Sequence, residues 1–197
     1  MTTAPPSVDV REHILSTAHL IMSGKGFSGV GLNEILRAAH VPKGSFYHYF
    51  ASKEAFGEAL LTRYFEHYLK QMDETFDHAG NGRDQLVAYF EMWAENQSAS
   101  HPESNCLVVK LAAEVSDLSD TMRRALKAGT DAIVARLTGA VTAGQRDGSI
   151  GLKEPAAAVA LSLYQSWLGA SLIAKIAHND TPLAAALAET RHRLAIT

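Results

Sequence analysis

Apolar residues recur at helical rather than alternating spacing over nearly the whole chain. In "VREHILSTAHLIMSGKGF" the positions Ile14, Leu15, Ala18, Ile21 and Met22 step by one, three, three and one, which places them on one face of a helix. Asp9 fits a cap or a first-turn acid, and Gly24 and Gly26 supply the stop. A short second helix runs through "LNEILRAAH", with Asn33 as its expected cap and Ile35, Leu36 and Ala39 facing inward. Pro42 closes it, because proline drives the residue before it out of helical geometry and itself suits a first helical turn. A third helix is expected at about 43–49, and Ser52 opens a long fourth, "SKEAFGEALLTRYFEHYLKQMDETF". Further helices read as 82–99, 105–116, 119–146, 154–178 and 182–195, separated by short polar linkers such as "HAGNG" and "HNDTP". The β-prone run "CLVVKL" is too short to outweigh its helical surroundings. The expected fold class is all-α with about nine helices.

Composition narrows the partners. At 197 residues the chain holds one sizeable core or two small ones, and 47% hydrophobic with 20% charged residues is ordinary for a soluble protein. A net charge of −3, from 18 basic and 21 acidic residues, exerts no global pull on nucleic acid or membranes, so any anion binding must be local. The start lacks the basic and apolar regions of a secretory signal, and no apolar run is expected to approach the ~18 residues that cross a bilayer. The single cysteine, Cys106, excludes an intramolecular disulfide framework. A cytoplasmic protein without a membrane partner is expected.

One segment departs from this ordinary composition. "VPKGSFYHYF", residues 41–50, gathers five aromatic or imidazole rings with a proline, a glycine and a lysine. Three short helices, the second and third joined by a tight proline turn, outline a helix-turn-helix, whose last helix enters the major groove of DNA. That role accounts for the residues: Gly44 lets backbone approach a duplex, and Ser45 hydrogen-bonds. Tyr47 and His48 offer flat polar-tipped groups, and Lys43 and Lys53 flank them with charge. Phe46, Tyr49 and Phe50 fall on the side that must cover the first two helices. Through Lys53 there are five basic residues against three acidic ones, a weak local excess of the right sign.

The stretch "GLNEILRAAHVPKGSFYHYFASKEAF" resembles the DNA-binding signature of TetR-type transcriptional repressors, with its Lys-Gly-x-x-Tyr-x-x-Phe core and following Lys-Glu pair. The likeness extends through "CLVVKLAAEVSDLSDTMRRALKAG" and "SWLGASLIAKI", where the chain is similar to the N-ethylmaleimide-reductase repressor (NemR-like) branch of that family. The resemblance implies a repressor rather than an enzyme, with residues 1–50 binding double-stranded, pseudo-palindromic operator DNA and 51–197 sensing a signal and forming a homodimer. It also implies sensing of reactive electrophiles and oxidants at Cys106, with Lys175 in "GASLIAKI" as a nitrogen partner for the oxidised sulfur.

The residues themselves leave alternatives. Cys106 opens a helix, where a thiolate would meet the positive end of the helix dipole, yet a lone cysteine is also commonly a small buried hydrophobe. Lys175 equally fits a snorkelling lysine on an amphipathic helix. The signal could instead be a hydrophobic ligand bound reversibly among Phe65, Tyr68, Trp93, Met122 and Trp167. A nucleophilic enzyme using Cys106 with His101 as base lacks any sign of an orienting third group or oxyanion site. "GKGFSG", residues 24–29, fits the letter of a dinucleotide fingerprint but follows a helix where a strand is required. The nine histidines contain no i,i+4 pair, so neither a metal nor another cofactor is expected. The helix at 154–178 is apolar around much of its circumference, and Tyr164, Trp167, Leu168 and Leu172 are its expected dimer anchors.

Overall fold

The computed structural model describes residues 9–97 and 106–195, and among them all regular structure is helical: nine α-helices and no strand. They are α1 (Val10–Lys25), α2 (Leu32–Ala38), α3 (Lys43–Tyr49), α4 (Lys53–Asp77), α5 (Gly82–Asn96), α6 (Leu107–Leu118), α7 (Asp120–Asp147), α8 (Ala156–Ala177) and α9 (Thr181–Arg193). "CLVVKL" is the start of α6, as its surroundings required. His101 lies outside the described residues.

Local chemistry sets most helix starts. The Asp9 carboxylate accepts from the amides of Arg11 and Glu12, and Ser52, Asn81 and Ser119 each accept from the third amide after them, satisfying donors that a helix start leaves free. Asn33 does not cap α2. The helix begins two residues earlier than that cap would set it, at Leu32 after Gly31, whose extended backbone serves as the cap without any side-chain bond. Gly26 ends α1 at φ +84°, a conformation that a residue with a Cβ adopts only at a cost, and its amide donates to the Met22 carbonyl.

Two regions share α4 as a strut. At its start Phe56 meets Phe46 and Phe50 at ring separations of 5.4 and 5.1 Å, locking α3 onto the α1–α2 core of Ile14, Leu15, Ile35 and Leu36. Phe46 and Phe50 are buried as the sequence reading required, whereas Tyr49 is more than one third exposed. Farther along, α4 packs on α5 and on the central α7, which also carries α6 and α8. The approach of α4 to α7 is close because Gly129 on α7 lies beneath the Phe65 ring.

Helix α8 spans 22 residues and is apolar enough, by length and composition, to cross a membrane. The sequence reading expected no apolar run of that length; the serines and Gln165 that interrupt this helix do not lower its average far enough to exclude it. Here one side of α8 is core. Trp167 stacks on Phe90 at 4.7 Å and donates its indole N–H to Thr190 at 2.9 Å, and Ser171 accepts from the Trp93 indole at 2.9 Å. Both buried indole donors are thus matched by hydroxyl acceptors, which lets the two tryptophans pack into the core without orphaned N–H groups.

Candidate nucleic-acid interface and thiol site

Helix α3 presents its polar side outward. Lys43, Gly44, Tyr47 and His48 are exposed, Tyr47 by 54%, and Ser45 is half-buried. A Cβ on Gly44 would meet nothing within 4 Å, so this turn of the helix faces open space. Buried Phe46 holds Tyr47 edge-on at 5.4 Å, fixing the outward direction of the phenol. Lys53 is the exception among the expected contacts. Its ammonium donates to the carbonyls of Phe27 and Val30 at 3.2 and 3.0 Å and sits 4.7 Å above the Phe27 ring. The charge expected to flank a duplex is directed inward, where it ties α4 to the α1–α2 turn.

Cys106 caps the N-terminus of α6 and is only 9% exposed. The Tyr64 hydroxyl donates to its sulfur at 3.5 Å, and the hydroxyls of Tyr68 and Tyr89 share a hydrogen bond of 2.9 Å nearby. Burial pushes Tyr64, Tyr68 and Tyr164 above the ordinary tyrosine range, with the field of Cys106 acting in the same direction on all three. The thiol therefore sits among neutral phenols. Lys175, in the last turn of α8, is held below the usual amine range by burial and by the charge of Lys110, while Cys106 opposes that shift. Lys175 is an exposed residue.

A cavity of about 480 Å³ opens beside the thiol, walled by α1, α4, α5 and Cys106 itself. Tyr68 and Trp93 line it as expected. Phe65, Met122 and Trp167 do not: Phe65 is pressed over Gly129, Met122 lies under Gly57, and Trp167 is sealed against Phe90 and Thr190. Their apolar character serves the core. The sequence reading missed His19, Arg63, Tyr64 and His67, which face the cavity. Arg63, His67 and Gln71, and Tyr64 and Tyr68, recur at i,i+4 on α4, a polar and aromatic stripe that helical periodicity could have exposed.

Residues 14–65 match the family described as bacterial regulatory proteins, tetR family, and residues 82–190 match the tetracyclin repressor-like C-terminal domain. The chain belongs to the TetR family. It is 43% identical over 189 residues to the HTH-type transcriptional repressor NemR of Escherichia coli (strain K12), covering 95% of this chain and 94% of that one. It is 34% identical to the transcriptional regulator AcuR of Cereibacter sphaeroides, over 93% of this chain and 91% of that one. The crystal structure of E. coli NemR in its reduced form superposes with a TM-score of 0.91, covering 96% of this chain and 98% of that one at 43% identity. This TetR chain is therefore a transcriptional repressor by family, and Cys106 is not an enzyme's nucleophile.

The outer face of α8 corrects the expected dimer anchors. Tyr164 and Trp167 are buried within the protomer and Leu168 is half-buried, so of the four only Leu172 is well exposed. Leu161, Ile173 and Ile176 join it, exposed by 44, 52 and 67%. In the sequence these residues cannot be told from the core set, because α8 is apolar on both sides.

Helix α6 also reaches the DNA-binding region of this TetR fold. The Glu114 carboxylate, on α6, accepts from the amides of Phe27 and Ser28 in the α1–α2 turn at 3.1 and 2.5 Å. Burial pulls Glu114 upward, but these donors and the nearby Lys53 outweigh it and hold the group below its ordinary range.

Proposed function

We propose that this chain is a homodimeric one-component repressor that holds a pseudo-palindromic operator with two copies of α3 and is released when reactive electrophiles or oxidants modify Cys106. Residues 1–50 read DNA and residues 51–197 sense and dimerise, with α4 reaching across both. The protein works in the cytoplasm without cofactor or membrane. One observation carries the reading: the only thiol of the chain caps α6 and lines a cavity that is also walled by α1 of the DNA-binding region. An adduct there intrudes between the two regions, and packed helices respond by moving as bodies. The solved relative in its reduced form gives further support. The exposed apolar residues of α8 favour a second copy of this chain as the covering partner.

A single cysteine leaves three chemical outcomes: an adduct, an intersubunit or mixed disulfide, or a sulfenic acid whose hydroxide is displaced by an amine with loss of water. Lys175 is the amine for the third. Cys106→Ser is expected to bind operator normally and to stay bound after N-ethylmaleimide, methylglyoxal or hypochlorite. Lys175→Met is expected to fail only with oxidants that pass through sulfenic acid. Normal release of Cys106→Ser would refute covalent sensing. It would favour a second reading, in which a hydrophobic ligand occupies the cavity against Tyr68 and Trp93 without reacting.

A further inference from the structure

The cavity beside Cys106 has a basic wall that covalent sensing alone leaves without a role. His19 of α1 and Arg63 and His67 of α4 line it, and no carboxylate does among the described residues. The remaining polar lining from α1, α4 and α5 is uncharged: Ser16, Gln71, Asn96 and Gln97, with Tyr64 and Tyr68 neutral. Glu12, paired with Arg63, is the nearest acid on α1 and is itself 44% exposed. His19 Nδ1 is buried and has no hydrogen-bond partner. The His19 ring stacks on Tyr64 at 5.8 Å and 24°, and the Tyr64 hydroxyl in turn points at the sulfur. Burial, then the charges of Arg63 and His67, keeps His19 below its ordinary 6.5, and an anion bound beside it would favour its protonated form.

We propose that this cavity selects planar α,β-unsaturated carbonyl compounds bearing a carboxylate, with the anion at His19, Arg63 and His67 and the alkene lying along Tyr64 towards Cys106. This inference rests on Cys106 being the reacting thiol. A cavity of this size accommodates a compact ligand, and an aromatic wall with a few convergent polar groups is the usual construction of such sites. The reaction is conjugate addition. The sulfur forms a bond to the β-carbon, the alkene π pair moves to the α-carbon, and the proton given up by the thiol ends there. No oxidant takes part. Binding the anion first holds the alkene against the sulfur, which turns an encounter into a positioned reaction.

The test compares N-ethylmaleimide with an N-(carboxyalkyl)maleimide of similar length on the full-length protein free of DNA. Thiol loss is followed by intact mass, and each rate is normalised to that of a free cysteine peptide. The ratio of the two normalised rates cancels the protonation of Cys106. It is expected to favour the anionic reagent by about tenfold or more at low salt, the scale on which local positive potential concentrates an anion. That preference should saturate with reagent concentration, shrink in high salt, and grow as pH falls and His19 takes up its proton. His67→Gln, an exposed substitution that leaves the core alone, and His19→Gln should each reduce it towards one. A ratio near one in the unmodified sequence, or a preference that survives both substitutions, overturns the proposal. Failure of both reagents to modify Cys106 overturns this inference and covalent sensing together, whereas failure of the anionic reagent alone overturns only this inference. An adduct that forms with the anionic preference but does not release operator refutes the sensing role and leaves the binding preference standing.

Discussion

Glu114 is the contact through which events at the thiol should reach DNA, and Glu114→Gln tests it directly. The residue lies eight positions after Cys106 on one uninterrupted helix, about 12 Å along the axis at 1.5 Å per residue. Its carboxylate accepts two amides from the turn that leads into α2, so α6 and the DNA-binding region cannot move independently while the clamp holds. Charge-assisted hydrogen bonds contribute about 1.5–3 kcal/mol each when buried; in this partly exposed turn the glutamine, which keeps the shape and loses the charge, should cost about 1–2 kcal/mol in total. If the clamp transmits the signal, that amount comes off the coupling free energy between thiol modification and operator affinity. The assay measures operator affinity with and without N-ethylmaleimide in both proteins. The weakening produced by modification should shrink by roughly 5- to 30-fold in the variant, 1.4 kcal/mol being tenfold. An unchanged ratio in a folded, DNA-binding variant would show that α6 communicates by another route.

The remaining expectations concern separate parts of the molecule. Tyr47→Ala should abolish operator binding without altering thermal stability, because the side chain is 54% exposed; normal binding would remove α3 from the interface. Leu172→Glu combined with Ile176→Glu should yield folded monomers by sedimentation, whereas Trp167→Ala should destabilise each protomer by about 3–5 kcal/mol in denaturant unfolding. An intact dimer in the first case would reassign the α8 face. Gly129→Ala drives a Cβ to within 2.1 Å of the Phe65 ring and should cost about 1–3 kcal/mol, recovered in part by Phe65→Leu. Asp73 is held below its ordinary 3.8 by its hydrogen bonds to Arg136, so its contribution is complete above that pH and lost as pH falls through the lower folded value; Arg136→Met should flatten this part of the acid-unfolding curve.

How far the sequence foretold these features depends on how local their causes are. Helix ends depend on a few neighbouring residues, so Asp9, Ser52 and Gly26 could be assigned from the chain alone. The same holds for the apolar α1 stripe and for the outward-facing groups of α3. Asn33 misled because a good capping residue stood one turn-position inside a helix that Gly31 could already begin. The cavity depends on contacts made at long range. Phe65, Met122 and Trp167 are large and apolar, which identifies core or ligand wall equally well, and only packing against Gly129, Gly57 and Phe90 decides between them. Lys53 belongs to the same class: nothing near it in sequence says that two carbonyls 23 and 26 residues away will capture its ammonium.

Under the proposed covalent sensing at Cys106, the energetic demand on a single thiol is modest once symmetry is counted. Moving a two-state equilibrium from 1:99 to 99:1 takes about 5.5 kcal/mol. A twofold dimer carries two copies of Cys106 acting on one shared geometry, so each adduct need supply about half of that, near 2.7 kcal/mol. Forcing extra atoms into a packed site costs about 1–3 kcal/mol, the same scale. Cys106 is 9% exposed beneath Tyr64 on the wall of the cavity, so adduct atoms beyond what the cavity admits press on packed helices, and its helix is held to the DNA-binding region by the Glu114 clamp. The disturbance is therefore confined between elements that must move together rather than dissipated in solvent. On these magnitudes a disulfide is unnecessary, and the absence of a second cysteine from the chain is compatible with full release by adducts alone.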